Sequence, residues 1–294
     1  EDKDILLKLC SYFIKDKDSC EKYEIDIDKG ILLSGPVGCG KTSLMNKFVH
    51  NQPKLFKGDG VDLELQQILS SQNLTTLSNA FKGYQTLFID EAQKVPNIGN
   101  ALKLLIDHYP EIIIIATGSS SFDLANQLGE PLTGRQNIYT LYPIAVLELV
   151  EQFGRMHVLQ NLNSYLIFGT YPEVLTSDTD EDRKQYLINL RNAYLLKDIL
   201  ELEKVKNTSK IFDLLRLLAF QIGNQVSLNE LGSQLGLAKQ TIERYLDLLE
   251  KAFIIKKVQG FSKNLRKEVT KTHRYYFWDN GVRNAIINNF NHVE

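Results

Sequence analysis

The feature that most constrains the fold of this 294-residue chain is a glycine-rich stretch directly after a short apolar run. The segment ILLSGPVGCGKTSLMNKFV occupies residues 31–49, and Gly35 through Thr42 fit the spacing G-x-x-x-x-G-K-[ST]. Glycines permit the tight turn that brings backbone N–H groups close to phosphate oxygens, and a following helix adds unpaired donors. The segment therefore predicts a buried strand, a phosphate-binding loop and a helix, within an α/β fold that has a parallel sheet.

The loop and the first turn of its helix contain the residue types that a nucleoside triphosphate requires. We expect Lys41 to reach the β and γ phosphates, and Thr42 to offer its hydroxyl to Mg²⁺. Cys39 lies inside the loop, where we favour a small space-filling residue over an oxidisable thiol. The predicted phosphate-binding residues are Gly35, Pro36, Val37, Gly38, Cys39, Gly40, Lys41, Thr42 and Ser43.

A second apolar run, TLFIDEAQ at residues 86–93, ends in two adjacent carboxylates. Asp90 is predicted to hold Mg²⁺, and Glu91 suits a base that polarises the attacking water. A carboxylate at the second place favours an ATPase with an additional catalytic glutamate over a small-molecule kinase. A GTPase would show an Asn/Thr-Lys-x-Asp guanine reader, which we do not find in a plausible place. The alternative is that the pair only caps the next helix.

A third apolar run, EIIIIATGSSS, predicts a fully buried parallel strand that ends in hydroxyl side chains. Ligands of open α/β sheets bind outside the carboxyl ends of the strands. Thr117 and Ser119 are therefore candidate sensors of the γ-phosphate or of the attacking water. The alternative is a helix N-cap, for which Ser120 or Ser121, before FDLANQL, would serve well.

Arg135 lies in a glycine-containing loop before a predicted last strand at residues 138–141. One interpretation is that it stabilises transition-state charge, in its own chain or in a neighbouring subunit of a homo-oligomer. The other is an ordinary surface salt bridge. Between residues 49 and 84 a further buried strand is expected, but only VDLEL at residues 61–65 is faintly strand-like.

The last third of the chain predicts a winged helix-turn-helix. Three amphipathic segments follow residue 210; Ser227 and Glu230 form a capping box at the second, and a short turn around Gly236 precedes the third. Two predicted strands around a basic tip then form a wing. The candidate DNA contacts are Lys239, Gln240, Thr241 and Arg244 on the third helix, and Lys263, Arg266 and Lys267 in the wing.

Charge supports a polyanionic partner for this region. Residues 204–274 contain 14 Lys and Arg against 6 Asp and Glu, a net charge of +8, whereas the whole chain has −2. A solvated basic face, or a module that binds protein, remains the alternative to double-stranded DNA. No apolar run approaches the roughly 20 residues of a membrane span, and the cysteines form no disulfide or metal spacing. We therefore expect a cytoplasmic protein without a membrane partner.

Four stretches together resemble a known family: LFIDEAQKVPNIGNALKLLID, IIIIATGSSSFDL, EPLTGR and FGTYPEVL. They are similar to AAA+-like ATPases of archaea and bacteria that are related to the STAND signalling ATPases. The resemblance implies ATP rather than GTP, Asp90 and Glu91 as the Walker B pair, and a functional role for Arg135. It also implies a winged helix followed by a nuclease-like domain of unknown function. We expect the chain to be truncated before that domain and to lack nuclease activity.

These observations predict a P-loop NTPase parallel sheet with an additional catalytic glutamate, a helical linker and a winged helix-turn-helix. The expected domains are an ATPase core at residues 1–150, a helical bridge at 151–205 and the winged helix at 206–294. We expect a Mg-dependent ATPase that acts as a nucleotide-driven switch on the winged helix. The alternative is a scaffold that binds DNA or protein, is stabilised by nucleotide and does not hydrolyse it.

Overall fold

The computed structural model describes residues 2–119, 132, 134–192, 208–260 and 273–291. The chain divides into two compact units, Glu1–Tyr142 and Pro143–Glu294. Each unit contains its own sheet. The predicted wing contacts Lys263, Arg266 and Lys267 lie outside the described residues.

The first unit is built on a parallel sheet of five strands in the order β2-β3-β4-β1-β5. Because all neighbours are parallel, the carboxyl ends of the strands lie along one edge, which is where ligands of such sheets bind. This arrangement confirms the predicted α/β fold with a parallel sheet. The strands are β1 Gly30–Ser34, β2 Leu55–Asp59, β3 Thr86–Asp90, β4 Ile113–Thr117 and β5 Gln136–Thr140.

Helices cover both faces of this sheet, because alternate strand residues point to opposite sides. Ile31 and Leu33 pack into one apolar cluster with side chains of α1, α2 and α3, whereas Leu32 packs into another with α4, α5 and α6. Burial on both faces accounts for the continuous apolar runs that predicted β1, β3 and β4. The helices are α1 Asp2–Ile14, α2 Lys17–Lys22, α3 Lys41–Val49, α4 Leu63–Ser70, α5 Leu74–Phe81 and α6 Ile98–His108.

The prediction of a strand at residues 61–65 is wrong, and the expected strand is β2 at Leu55–Asp59. Asp62 instead accepts hydrogen bonds from the backbone N–H groups of Glu64 and Leu65, so it caps the start of α4. In the described sheet β2 is an edge strand that pairs with β3, and it is partly exposed along its length. The strand therefore lacks the apolar run by which the other strands were found.

In the described part of the second unit, helices precede and surround one antiparallel pair of strands, β6 Ile255–Val258 and β7 Arg274–Phe277. Ser227 caps α13 by accepting from the N–H of Glu230, and Gly236 ends that helix in the left-handed conformation. None of the described helices has the length and apolar character that crossing a bilayer requires. The helices are α7 Val146–Phe153, α8 Arg155–Gln160, α9 Leu162–Phe168, α10 Pro172–Thr176, α11 Asp180–Leu190, α12 Thr208–Phe220, α13 Leu228–Leu235, α14 Lys239–Lys251 and α15 Asn280–Ile287.

Buried polar groups attach α15 to the end of α9. The Asp279 carboxylate accepts from the N–H of Val282 at 3.0 Å and from the N–H of Thr170 at 2.7 Å. Asn284 donates from Nδ2 to the carbonyl oxygen of Ile167 at 2.7 Å. Burial raises the pKa of Asp279 to about 6, although the backbone N–H groups that it accepts from favour the charged form.

Candidate nucleotide site

The predicted phosphate-binding loop between β1 and α3 has a backbone conformation that glycine permits. Gly35, Gly38 and Gly40 have φ angles of 139°, 83° and 90°, in a region that other residues rarely adopt. A Cβ atom on Gly35 would also lie 2.0 Å from the carbonyl oxygen of Leu141. The turn into α3 therefore requires glycine at the first position of the motif, and it leads directly to Lys41 and Thr42.

Lys41 is buried, and carbonyl groups of the loop accept hydrogen bonds from its ammonium group. Its Nζ donates to the carbonyl oxygens of Gly35 at 2.7 Å and Pro36 at 2.9 Å. The loop thus pre-positions an ammonium group at the carboxyl end of β1. Cys39 is buried beside it and belongs to the apolar cluster under α3, so its side chain fills space as expected.

Three structural elements converge on the Asp90 carboxylate. Thr42 at the start of α3 donates from Oγ1 to Asp90 Oδ1 at 2.9 Å. Thr117, fully buried at the end of β4, donates to the same oxygen, and the backbone N–H of Glu91 lies 3.2 Å from it. The predicted Mg²⁺ ligands Thr42 and Asp90 therefore lie within hydrogen-bond distance, and Thr117 contacts Asp90 directly.

Glu91 follows β3 in the left-handed conformation, with φ 47° and ψ 40°. Its carboxylate accepts from Nε2 of Gln93 at 2.5 Å, and the same nitrogen lies 3.2 Å from Oγ of the buried Ser119. The structure thus brings Glu91 and the candidate sensor Ser119 together through Gln93. In the sequence Gln93 is the last residue of TLFIDEAQ, and no role was predicted for it.

Gly60 is a second residue of this site that sequence reasoning missed. Its N–H donates to the carbonyl oxygen of Asp90 at 2.7 Å, and a Cβ atom there would lie 2.3 Å from the carbonyl oxygen of Glu91. Only glycine allows this close approach between the segments that follow β2 and β3. The signal available in the sequence was the glycine two residues beyond Gly58, at the end of an unrecognised strand.

Arg135 is not brought to this site. It directly precedes β5, and its carbonyl oxygen accepts from the N–H of Gly30, so it lies at the amino edge of the sheet, opposite the phosphate-binding loop. Its Nε donates to the Asp107 carboxylate at 2.9 Å. This placement fits the salt-bridge interpretation and does not fit action on a nucleotide bound to the same chain. Action on a neighbouring subunit stays a prediction.

The described candidate DNA contacts lie on α14. Lys239, Gln240 and Arg244 are exposed, and Thr241 is half-buried. Lys239 Nζ lies 3.6 Å from the Glu243 carboxylate. Over its whole length α14 has three basic and three acidic residues, so its charges balance.

Two family models cover most of the chain. Residues 28–150 match an AAA domain. Residues 159–292 match a model described as Domain of unknown function (DUF8612), which spans parts of both the predicted bridge and the predicted winged helix. The AAA match supports an ATPase-like, nucleotide-binding domain at the site described above.

Curated relatives are uncharacterized proteins. One from Methanocaldococcus jannaschii is 27% identical over 92% of this chain and 65% of its own length. Relatives from Mycobacterium tuberculosis and Haemophilus influenzae are each 25% identical, over 87% and 76% of this chain. The chain spans 56% and 63% of the lengths of those two proteins.

Proposed function

We propose that the first unit binds ATP with Mg²⁺ and hydrolyses it, and that the nucleotide state controls the second unit. The observation that carries this proposal is the contact between Thr42 Oγ1 and Asp90 Oδ1 at the carboxyl edge of the sheet. It places two hard oxygen ligands beside the phosphate-binding loop, and Mg²⁺ in nucleotide sites takes few protein ligands. The neighbouring Glu91 supplies the carboxylate that hydrolysis requires.

Each residue of the site has a separate task in this proposal. Mg²⁺, when bound, neutralises charge that develops on the β and γ phosphates. Thr42 and Asp90 would hold the ion, and Lys41 would exchange its loop carbonyls for phosphate oxygens. Glu91 polarises the attacking water as a general base. Ser119, two residues beyond β4, would sense the γ-phosphate through its hydroxyl.

We expect Thr42→Val to weaken ATP binding in the presence of Mg²⁺ by about tenfold, which corresponds to about 1.4 kcal/mol. Valine keeps the volume of threonine but removes the hydroxyl that contacts Asp90. The measurement is the Kd of ATP by equilibrium dialysis, with Mg²⁺ and with a chelator. Thr42→Ser is the matched control, because it keeps the hydroxyl and should retain the Mg²⁺ dependence. A Thr42→Val protein that binds ATP as tightly as the parent chain in the presence of Mg²⁺ would contradict the assignment of Thr42.

For the second unit we propose a winged helix-turn-helix formed by α12, α13, α14 and the strands β6 and β7. The order of these elements, the Ser227 cap and the left-handed Gly236 between α13 and α14 support it. A switch requires that ATP and ADP differ in affinity for two arrangements of the protein. Binding of the partner to the second unit should then differ between the ATP-bound and ADP-bound forms.

Double-stranded DNA is the partner that the net charge of +8 over residues 204–274 favours. Since the charges of α14 balance, we assign the phosphate contacts mainly to Lys263, Arg266 and Lys267. Three such contacts give a slope of log affinity against log salt of about −2.7. We expect simultaneous replacement of these three residues by alanine to flatten that slope towards zero.

The measurement is binding to random-sequence duplex by fluorescence anisotropy at several salt concentrations. The pair Lys239→Ala and Arg244→Ala on α14 is the control, and it should change the slope less than the triple variant. Binding that is absent in the parent chain, or that does not depend on salt, would exclude DNA and favour a protein partner.

A further inference from the structure

The carboxamide of Gln93 contacts two side chains of the site, those of Glu91 and Ser119. Gln93 lies in the short 3₁₀ turn Ala92–Lys94 that follows β3. Its Nε2 lies 2.5 Å from Oε2 of Glu91 and 3.2 Å from Oγ of Ser119. The two contacts lie at the ends of two adjacent strands, β3 and β4, at the edge where the nucleotide is proposed to bind.

The orientation of this carboxamide follows from its neighbours. An ionised carboxylate only accepts hydrogen bonds, so the NH₂ group must face Glu91. A flipped amide would place its oxygen against the Glu91 oxygen and would lose the charge-assisted bond. The two hydrogens of Nε2 can therefore serve Glu91 and Ser119, one each.

This orientation leaves the other end of the amide unsatisfied. Gln93 Oε1 is buried and has no hydrogen-bond partner among the described residues. A buried acceptor without a partner lowers stability, and an apolar side chain of the same size would avoid that cost. The contacts made by Nε2 are thus obtained at the expense of stability, which is typical of residues that serve a site.

We infer that Gln93 is a positioning residue that orients the Glu91 carboxylate and couples it to Ser119. This inference rests on the proposed hydrolysis of ATP and adds a residue to its machinery. A base that is held by a third group keeps the direction in which it meets the attacking water. Because one nitrogen donates to both partners, a change at Ser119 on nucleotide binding can reach Glu91 through the Gln93 side chain.

The test compares Gln93→Met with the parent chain in three measurements: kcat for ATP hydrolysis, the Kd of ATP, and Tm. Methionine keeps the length of glutamine but removes both donors and the unsatisfied oxygen. We expect kcat to fall by about tenfold or more while the Kd of ATP changes by less than about twofold. We expect Tm to stay equal or to rise, whereas removal of a merely structural hydrogen bond would lower it.

Two further variants separate orientation from general effects. Gln93→Glu replaces the amide donor that faces Glu91 by a second carboxylate, which can only accept, so its kcat should fall at least as far as that of Gln93→Met. Gln234→Met is the matched control: Gln234 also donates to a carboxylate, that of Glu230 at 3.3 Å, but on the exposed face of α13. Its kcat should equal that of the parent chain.

The outcomes distinguish this inference from the function on which it rests. A parent chain that hydrolyses ATP beside a Gln93→Met variant of equal kcat would overturn the role of Gln93 alone. A lower kcat together with a lower Tm would overturn it in favour of a structural role. If the parent chain does not hydrolyse ATP, the proposed function fails and the role of Gln93 fails with it.

Discussion

Glu91→Gln is expected to reduce the rate of ATP hydrolysis by about 10²-fold or more while ATP still binds. Glutamine keeps the shape of the side chain, and its amide oxygen can still accept a hydrogen bond from Nε2 of Gln93. It cannot, however, accept a proton from the attacking water. A positioned general base contributes about 10²–10⁴-fold to a rate. Because Glu91 is not predicted to hold the phosphates or Mg²⁺, the Kd of ATP should change little.

The measurement is release of inorganic phosphate at saturating ATP, together with the Kd of ATP for the same preparation. Lys41→Ala is the informative companion, because it removes the ammonium group at the loop and should weaken binding as well as turnover. A Glu91→Gln protein with the turnover of the parent chain would remove Glu91 from the reaction. Tight binding without turnover in every protein would favour the scaffold that is stabilised by nucleotide.

Asp279→Ala is expected to destabilise the second unit by about 2–4 kcal/mol. The substitution leaves the N–H groups of the half-buried Thr170 and the buried Val282 without their acceptor, and each such loss costs about 1–3 kcal/mol where the group is buried. The bond from Val282 is the N-cap bond of α15. Trp278 is the single tryptophan of the chain, and it precedes Asp279 directly. Urea unfolding followed by tryptophan fluorescence therefore reports on this unit.

Asp279→Asn is the control, since its amide oxygen still accepts one or more of these bonds. The pH dependence of the free energy of unfolding should also differ between the parent chain and the two variants. Burial raises the pKa of Asp279 to about 6 from an ordinary 3.8, so the folded state binds the proton more tightly than the unfolded state does. The resulting stability is fully present below about pH 4 and is lost as the pH rises through about 6. Asp279→Asn should lack this pH-dependent part of the free energy of unfolding. An Asp279→Asn protein with the same pH dependence as the parent chain would contradict the raised pKa of Asp279.

The parts of the site that could be predicted from the sequence are the residues that follow apolar runs or belong to the glycine-rich motif. The strands β1, β3 and β4 are buried on both faces, so they appear as apolar runs, and each run leads into residues that the structure places at the same edge. Thr42, Asp90 and Thr117 are far apart in the chain but meet there because the strands are parallel. The motif and the rule for parallel sheets together predict that meeting.

The parts that sequence reasoning missed depend on distances that only the folded chain sets. Gln93 and Gly60 have roles because of the groups that the fold brings next to them, and neither type of residue is diagnostic alone. Strand β2 was missed because an edge strand is partly exposed. The position of Arg135 follows from a rule that was available: in a parallel sheet, a residue before a strand lies at the opposite edge from residues that follow strands.

The most direct test of a nucleotide-driven enzyme is phosphate release from ATP by the parent chain, measured with Mg²⁺ and with a chelator, and with and without duplex DNA. We predict turnover that requires Mg²⁺, that is absent from Lys41→Ala, and that changes when the partner of the second unit is present. Turnover that persists in the chelator or in Lys41→Ala would come from a contaminant or from another site. No turnover under any of these conditions, with ATP bound, would contradict the hydrolytic function.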